Sequence, residues 1–314
     1  MNTLAVVLEK PERLSVERVT LSEPGPMDVV VDADWTGIST GTEKLLYTGR
    51  MPAFPGLGYP LVPGYECAGH VVEAGRDSGF KVGQPVFVPG SHGFTDVRGL
   101  FGGSASRLVA DSRKVVPVTG ELGERAVLLA LAATAHHAAV ASQRGLPELV
   151  VGHGVLGRLI ARCVIALGGK PPVVWETAKA RHAGADGYDV IDPDADTHAG
   201  GYGVVCDASG ADGIVDALVG KIAKGGEIVL AGFYESRVSF AFPPAFMREA
   251  RIAIAAEWAK ADIDAVMDLV EAGRLSLDGL ISHRQPAASA AEAYSQAFSD
   301  PGCLKMILDW RNRA

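Results

Sequence analysis

Residues 149–157 read Leu149-Val150-Val151-Gly152-His153-Gly154-Val155-Leu156-Gly157, a short apolar run that ends in Gly-x-Gly-x-x-Gly. Apolar residues then recur at helical spacing as far as Leu167. A strand, a glycine turn and a helix in this order are the fingerprint of a dinucleotide-binding fold. Its glycines permit a tight turn, close approach of a pyrophosphate and close packing of the helix on its strand. We therefore expect the turn from Gly152 to Gly157 to bind a dinucleotide, with His153 placed by its backbone alone.

An acidic residue after the next apolar run indicates which dinucleotide binds. The run Pro171–Trp175 is followed by Glu176, at the distance where a carboxylate meets the ribose hydroxyls of the adenosine. Its charge would repel a 2′-phosphate, so we expect NAD rather than NADP. The alternative is a glycine-rich turn in another α/β protein, with Glu176 on its surface. The other residues that we assign to the cofactor site are Arg181, Ser209, Gly232 and Phe233.

Composition and charge exclude several classes of protein. The chain has 314 residues and a formal net charge of −8, and it has no basic run that could supply the phosphate contacts of a nucleic-acid-binding protein. Its four cysteines are scattered, without the paired spacing of a zinc cluster or a disulfide framework. We find no signal peptide and no apolar run that could span a bilayer. We therefore expect a cytoplasmic protein with reduced thiols.

The pattern along the chain predicts an α/β protein of more than one domain. Residues 1–120 contain short β-prone runs, with two long glycine-rich loops at 37–64 and 90–103. A helix is expected over Glu121–Ser142, and strands alternate with helices from 149 to 258, which predicts a parallel sheet. We place the domain boundaries at 1–143 for a β-rich domain, 144–258 for the nucleotide-binding domain and 259–314 for a return to the first domain.

Six stretches resemble motifs of the medium-chain dehydrogenases/reductases, and the resemblance covers the whole chain. They are Gly37–Glu43, Val62–Gly69, Asp207–Gly210, Gly225-Gly226, Ala231-Gly232 and Ala272–Leu275. The resemblance implies a GroES-like β-rich catalytic domain combined with a Rossmann domain, which has a doubly wound parallel sheet. It also implies a homodimer formed by pairing of the strand Arg251–Ala256 with its copy.

The sequence departs from the zinc-dependent members of that family at each zinc site. Ser39, Tyr65 and small apolar residues around Ala130 stand where the resemblance places the catalytic zinc ligands, and neutral Ser and Tyr are poor ligands. The segment from Gly83 to Ser112, where a structural zinc would lie, contains no cysteine. We therefore predict no metal. The alternative is an unusual metal site assembled from His92, His136, His137 and Glu66.

The resemblance extends to a zinc-free branch of the family and implies its reaction. That reaction is NAD-dependent oxidation of the 3-(1-hydroxyethyl) group of a bacteriochlorophyllide, a tetrapyrrole, to 3-acetyl in bacteriochlorophyll biosynthesis. Without zinc, side chains must hold the alcohol and move its proton. Thr42 lies where the family keeps a relay hydroxyl, and Ser39 and Tyr65 are expected in the same pocket. His136 or His137 is the best base by residue type, because a histidine titrates near neutral pH.

Several of these residues also have simpler interpretations. Thr42 could cap the helix that begins at Glu43, and one histidine of the adjacent pair could be a packed helix residue, since neighbouring helical positions do not share a face. A broad apolar substrate needs a wide cleft with aromatic or aliphatic walls. For that cleft we select Arg50, Phe54 and Tyr59, the alternative being a loop folded on its own aromatic residues. Phe240, Phe242 and Phe246 are further wall candidates, or else part of a subunit interface.

Three other functions compete with this interpretation. A zinc-free quinone or enone reductase of the same superfamily would use NADPH and prefer a basic or neutral residue at position 176. A methyltransferase could use the glycine-rich loop and the acidic strand end for S-adenosylmethionine, although the β-rich first domain argues against it. A non-catalytic cofactor-binding protein is the third alternative, because the zinc ligands are missing.

Overall fold

The computed structural model describes residues 1–234 and 236–312. It divides into two compact units, one formed by Met1–Ala130 with the chain from Leu280 onward, and the other by Leu131–Gly279. The boundaries proposed from the sequence, at 143 and 258, both lie within the second unit. That three-part division remains a proposal.

The strands are numbered here in chain order. They are β1 (Asn2–Lys10), β2 (Arg13–Thr20), β3 (Asp28–Ile38), β4 (Cys67–Ala74), β5 (Pro85–Val88), β6 (Arg107–Asp111), β7 (Val116–Pro117), β8 (Leu149–Val151), β9 (Val173–Trp175), β10 (Asp189–Ile191), β11 (Tyr202–Asp207), β12 (Ile222–Leu230), β13 (Arg251–Ile254), β14 (His283–Pro286) and β15 (Met306–Asp309).

The α-helices are numbered in the same way. They are α1 (Thr42–Thr48), α2 (Leu129–Val140), α3 (Val155–Ala166), α4 (Ile214–Lys221), α5 (Phe242–Arg248), α6 (Lys260–Glu271) and α7 (Ala290–Ser299). Short 3-10 turns lie at Gly120–Leu128, Lys179–Arg181, Pro193–Ala195 and Ala287–Ser289.

β3 is the central strand of the first unit. The sheet order is β14-β15-β3-β4-β5-β7, with β6 also paired to β3, and β1 and β2 form a separate antiparallel pair. The C-terminal β15 pairs antiparallel with the end of β3, so that Met306 lies opposite Ile38. The apolar residues of these strands pack with α7 into one core cluster. The last strand of the chain therefore fixes the segment that leads into the Gly37–Glu43 motif.

The second unit has the parallel sheet that the sequence predicts. Its order is β10-β9-β8-β11-β12-β13, which is the order of a doubly wound dinucleotide-binding sheet. Val151 is in register with both Trp175 and Asp207, and Asp207 with Leu230. The residues that follow these strands therefore meet at one edge of the sheet. The predicted doubly wound parallel sheet is confirmed.

Two of the differences from the sequence prediction have a clear physical reason. The helix expected over Glu121–Ser142 begins as a 3-10 segment, and only residues 129–140 are α-helical. Gly123 has φ of +52°, a left-handed conformation that interrupts a regular helix. β14 was not predicted, because its sequence His-Arg-Gln-Pro has no β-branched or aromatic residue. It forms because it pairs in parallel with the buried β15.

Candidate cofactor cradle and hydroxyl cluster

The glycine turn after β8 has the geometry that a dinucleotide requires. Gly152 has φ of +94°, where a side chain would be strained. A Cβ on Gly157 would lie 1.8 Å from the carbonyl oxygen of Gly152, so the helix can approach the strand only with glycine there. A Cβ on Gly154 would meet nothing within 4 Å. The space beside Gly154 is thus open, and packing within the protein does not explain why that residue is a glycine.

Helix α3 presents its N-terminus at this open space. Gly154 is its N-cap and no side chain caps the helix. The first N–H groups of a helix have no partner within the helix, and they carry the positive end of the helix dipole. The turn and the helix start together can therefore hold a pyrophosphate group.

Glu176 lies at the end of β9 with its side chain almost buried, 9% of the residue being exposed. Its Oε2 accepts the backbone N–H of His153 at 3.0 Å, and its Oε1 accepts the N–H of Ala178 at 2.8 Å. An ionised carboxylate has about four acceptor positions, so each oxygen can take one more hydrogen bond. The carboxylate is fixed beside the glycine turn and can still accept a pair of ribose hydroxyls.

The prediction that His153 is placed by its backbone alone is wrong. Its side chain is fully buried; Nδ1 lies 2.6 Å from the carbonyl oxygen of Arg181, and Nε2 lies 2.9 Å from the hydroxyl of Tyr188. A carbonyl can only accept, so Nδ1 carries the proton and Nε2 accepts from Tyr188. Burial lowers the pKa of His153 to about 4, which keeps the ring neutral. His153 therefore ties the turn to the segment that follows β9.

Arg158 is a buried residue of this region that the sequence reasoning missed. It is 6% exposed, and its guanidinium donates to the carbonyl oxygens of His153, Arg181, Ala183 and Gly184 at 2.7 to 3.1 Å. Gly184 has φ of +85°, and a Cβ there would lie 2.3 Å from Nη1 of Arg158. The available signal was an arginine one position after the last glycine of the motif. Arg158 joins the glycine turn to the 181–184 segment, which includes the predicted cofactor residue Arg181.

The remaining predicted cofactor residues lie at the same edge of the sheet. A Cβ on Gly152 would be 3.3 Å from the backbone of Ser209, and the N–H of Gly232 donates to the carbonyl of Asp207 at 2.9 Å. The hydroxyl of Ser209 donates to Asp207 at 2.6 Å, and Tyr234 also donates to that buried carboxylate. Asp207 therefore organises the loops after β11 and β12. The side chain of Phe233 is 52% exposed, and the role of all these residues toward a cofactor is a proposal.

Ser39, Thr42 and Tyr65 come together in the first unit. The hydroxyl of Tyr65 donates to Oγ of Ser39 at 2.7 Å and lies 3.5 Å from Oγ1 of Thr42. Gly41, not Thr42, is the N-cap of α1. Burial, with a smaller contribution from Glu66, raises the pKa of Tyr65 well above its usual value, so this hydroxyl is neutral. The arrangement is a cluster of three hydroxyl groups, each able to donate and accept.

An aromatic residue that was not selected from the sequence lies against this cluster. The ring of Phe101 packs edge-on against Tyr65, with centroids 5.4 Å apart. Phe101 has φ of +65°, which is uncommon for a bulky residue and is found most often at functional sites. The carbonyl oxygen of Phe101 accepts the N–H of Ser91 at 2.6 Å, which holds this backbone in place. Phe101 is thus a fixed aromatic neighbour of the hydroxyl cluster.

The side chains of this region do not fit a catalytic zinc. Ser39 and Tyr65 bond to each other, and the third expected ligand position holds Ala130 and its apolar neighbours. Cys67 is buried, and burial raises the pKa of its thiol, which disfavours the thiolate that binds metal. Within residues 1–234 and 236–312, no group of three or more His, Cys, Asp or Glu side chains has the arrangement of a metal site.

The residues of the alternative metal site have other partners. Glu66 pairs with Lys305 at 2.8 Å, and His92 lies 2.8 Å from the carbonyl oxygen of Gly99. His136 and His137 each contact Asp262 through Nδ1, at 2.8 and 3.0 Å.

The histidine pair shares one carboxylate, although adjacent helical positions point in different directions. Asp262 offers one oxygen to each ring, and it also accepts the N–H of Ala259 at 2.8 Å at the start of α6. Burial favours a higher pKa for Asp262, but these hydrogen bonds hold the pKa of that carboxyl below its usual range. Asp262 therefore orients both rings. Neither histidine is simply a packed helix residue.

The predicted substrate residues lie in the loop after α1. The hydroxyl of Tyr59 donates to the carbonyl of Leu46, and Arg50 is exposed, with Nε 3.2 Å from the hydroxyl of Thr48. Phe54 is half-buried. Much of this loop packs on the buried Leu8, Leu46 and Leu61, so it is folded partly on its own aromatic residues. Phe240, Phe242 and Phe246 are exposed in the second unit.

No helix of the described chain has the length and apolar character needed to cross a bilayer.

Comparison with known proteins supplies a family assignment. Residues 25–120 match the alcohol dehydrogenase GroES-like domain. The chain is 56% identical over 313 residues to the 2-desacetyl-2-hydroxyethyl bacteriochlorophyllide A dehydrogenase of Rhodobacter capsulatus, with 99% of each chain covered. It is also 56% identical to the protein of the same name from Cereibacter sphaeroides, with both chains fully covered. L-idonate 5-dehydrogenase from Escherichia coli has the same fold, with a TM-score of 0.86 at 20% identity over 98% of both chains.

Proposed function

Because the chain belongs to the family of 2-desacetyl-2-hydroxyethyl bacteriochlorophyllide A dehydrogenases, within the medium-chain dehydrogenases/reductases, we propose that it oxidises the hydroxyethyl group of a bacteriochlorophyllide to an acetyl group with NAD and without zinc. The observation that carries the proposal is the identity of 56% over nearly the full length of two such dehydrogenases. An oxidoreductase acting on a CH–OH group is the general activity that this identity supports.

The choice of NAD rests on Glu176. Its carboxylate is held by two backbone N–H groups and retains acceptor positions for the 2′- and 3′-hydroxyls of the adenosine ribose. A 2′-phosphate in the same place would bring its negative charges next to this nearly buried carboxylate, where repulsion is strong. The open space beside Gly154 and the uncapped start of α3 suit the pyrophosphate. Bound NAD would supply the hydride acceptor.

The protein's own residues must then move the hydroxyl proton. We assign to Thr42 the first hydrogen bond to the substrate alcohol, and to Tyr65 and Ser39 the continuation of a hydroxyl relay. A neutral hydroxyl can accept one proton while it donates another, and the Tyr65–Ser39 bond at 2.7 Å supports such a transfer. For the base we propose His136, because a carboxylate bonded to Nδ1 fixes the orientation of its ring.

Arg50, Phe54 and Tyr59 remain the residues proposed to contact the tetrapyrrole. Since the Tyr59 hydroxyl is already bonded to Leu46, only its ring is proposed to meet the macrocycle. Arg50 is exposed and could pair with a propionate group.

We also propose a homodimer that forms through β13. This strand is the last in its sheet and pairs with β12 on one side. Exposed edge strands readily pair with another strand. Ile254 is 78% exposed, and Phe242, Phe246 and Met247 of the preceding helix are 65 to 72% exposed. An apolar surface of this kind is typical of an interface.

The test of the proposed function is a turnover assay with purified protein. Hydroxyethyl bacteriochlorophyllide is supplied with NAD or NADP, and both the pigment spectrum and the formation of reduced cofactor are followed. Conversion to the acetyl pigment with NAD, unchanged after treatment with a metal chelator, is the expected result. Absence of pigment turnover together with strong NADPH-dependent quinone reduction would overturn the proposal, and one tightly bound zinc per chain by elemental analysis would overturn its zinc-free part.

A further inference from the structure

One peptide unit next to the hydroxyl cluster is held at both ends by buried charged side chains. Nζ of Lys305 donates to the carbonyl oxygen of Ile38 at 3.2 Å, and Oε1 of Glu43 accepts the N–H of Ser39 at 2.9 Å. That carbonyl and that N–H belong to the same peptide bond. Lys305 is 2% exposed and Glu43 is fully buried. The orientation of the peptide plane is thus fixed from two sides.

Each of these two side chains is itself held by a buried partner. Nζ of Lys305 contacts both oxygens of Glu66, at 2.9 and 2.8 Å, and Glu66 is 1% exposed. The hydroxyl of Tyr294, on α7, donates to Oε2 of Glu43. A Cβ on Gly37 would lie 2.0 Å from Oε2 of Glu66, so this approach requires a glycine in the motif. The four side chains come from four separate segments of the first unit.

This arrangement is costly for a purely structural contact. Removing charged groups from water costs several kcal/mol per ion, and apolar side chains of similar volume often stabilise a core equally well. Pairing Lys305 with Glu66 would by itself satisfy both charges. Lys305 also contacts the carbonyl of Ile38, and Glu43 contacts the N–H of Ser39. These two contacts fix the position of Ser39. The Oγ of Ser39 accepts the hydroxyl of Tyr65 at 2.7 Å.

We propose that Glu43 and Lys305 are positioning residues, which lock the Ile38–Ser39 peptide so that the Ser39 and Tyr65 hydroxyls stay aligned for proton transfer. The proposal rests on the proposed function, since it assigns the relay to that reaction. Small errors in the placement of reacting groups slow a reaction strongly, because a misplacement of about 1 Å can reduce a rate by roughly a hundredfold.

The protonation of Glu43 gives this clamp a pH dependence. Burial, reinforced by the nearby Glu66, raises the pKa of Glu43 to about 7, against the opposing effects of Tyr294, the Ser39 N–H and Lys305. The phenol of Tyr65 also faces this carboxyl. Above that pH the ionised carboxylate accepts from both Ser39 and Tyr294. Below it the proton occupies one oxygen, so the carboxyl can no longer accept two strong hydrogen bonds.

Two variants test the clamp. Glu43→Gln removes the titration at nearly constant shape, and the double variant Lys305→Met with Glu66→Gln removes both charges without leaving one unpaired. Glu148→Gln is the control, because Glu148 also accepts a backbone N–H, that of Gly203 at 2.7 Å, but in the second unit. We expect kcat to fall on the order of tenfold in both test variants with little change in KM for NAD. Because the pKa of Glu43 lies at about 7, we expect the wild-type kcat–pH profile to have an inflection near pH 7 and Glu43→Gln to lose it.

A second measurement does not depend on turnover. Hydrogen–deuterium exchange of the Ser39 amide should become faster in Glu43→Gln than in the wild type and in Glu148→Gln. Folded test variants with wild-type kcat, an unchanged pH profile and unchanged Ser39 exchange would overturn the proposal. If the wild type fails to oxidise the pigment, the proposed function fails instead. Faster Ser39 exchange would then still establish the clamp, and unchanged exchange would refute it.

Discussion

The hydroxyl of Tyr65 donates a 2.7 Å hydrogen bond to Oγ of Ser39. These are the two positions at which the family resemblance places zinc ligands, and both side chains are neutral hydroxyls. Neither is a good zinc ligand, yet as a bonded pair they can hold an alcohol and pass its proton along. The pair is completed by Thr42, whose Oγ1 is 3.5 Å from the Tyr65 hydroxyl.

Replacing Tyr65 with phenylalanine should therefore lower activity far more than stability. Tyr65→Phe removes the central hydroxyl of the proposed relay, and we expect kcat to fall roughly a hundredfold, the lower range for loss of an acid–base group. The lost hydrogen bond should cost only about 1 kcal/mol of folding free energy. Tyr202→Phe is the matched control, because it removes a hydroxyl bonded to Asp196 at 3.0 Å. Steady-state kinetics of both variants decide, and wild-type kcat in folded Tyr65→Phe would contradict the relay.

Gly154→Ala should weaken NAD binding without destabilising the protein. The new methyl group meets nothing within 4 Å, so it should enter the space proposed for the pyrophosphate. Its backbone, with φ of −74°, suits alanine. We expect Kd for NAD to rise at least about tenfold while Tm stays within about a degree of the wild type. Gly120→Ala is the control, because a Cβ there also meets nothing within 4 Å. Titration calorimetry measures the affinity. If Gly154→Ala binds NAD as tightly as the wild type, the pyrophosphate lies elsewhere.

Glu176→Gln should reduce the preference for NAD over NADP. The substitution removes the negative charge that would repel a 2′-phosphate but keeps an amide that can hydrogen-bond the ribose. We expect the ratio of kcat/KM for NAD to that for NADP to fall by about tenfold, equivalent to about 1.4 kcal/mol. The exposed Glu148→Gln, which also alters a carboxylate bonded to a backbone N–H, should leave the ratio unchanged. A wild-type enzyme that already prefers NADP would refute the role given to Glu176.

Local sequence was sufficient to predict the glycine turn, because each glycine is required by the backbone geometry at its own position. Gly152 needs its positive φ and Gly157 its close approach to the strand, and no distant residue decides either. The parallel sheet follows in the same way, since alternating strands and helices can close in few arrangements. The family resemblance, rather than local pattern, predicted Ser39, Thr42 and Tyr65 in one pocket, and they do lie together.

The contacts that hold these motifs in place could not be predicted from local pattern. Lys305 and Glu66 are 239 positions apart in sequence. They meet because β15, which follows Lys305, pairs with the end of β3. The prediction that His153 is placed by its backbone alone fails, because nothing near it in sequence shows that its ring would contact the carbonyl of Arg181 and the hydroxyl of Tyr188. Motifs that require a particular backbone geometry can thus be recognised in the sequence. The partners of a buried side chain, by contrast, are set by the tertiary structure.

His153 should make the protein less stable in mild acid. Burial lowers its pKa from 6.5 to about 4, so between these values the unfolded chain takes up a proton that the folded protein does not. The stabilising contribution of the neutral ring is complete above pH 6.5 and is lost as the pH falls toward 4, by up to about 3 kcal/mol. Glu43 has the opposite effect on stability, because its pKa is raised to about 7 and the folded protein therefore takes up a proton more readily than the unfolded chain. The effect of His153 must therefore be measured by comparing variants. His153→Gln should show a smaller fall in Tm between pH 7 and pH 5 than either the wild type or His198→Gln; equal falls would contradict the assignment.

Ile254→Lys should convert the proposed dimer into a monomer. Ile254 is 78% exposed on β13, the strand at the open edge of the parallel sheet. In a dimer formed by pairing of this edge with its copy, two lysines would be brought close together at the interface, and like charges there cost several kcal/mol. Val82→Lys is the control, because Val82 is similarly exposed at 69% but lies in the first unit. Light scattering after size-exclusion chromatography should give half the wild-type mass for Ile254→Lys and the full mass for Val82→Lys. A dimer that persists in Ile254→Lys at low micromolar concentration would rule out pairing through β13.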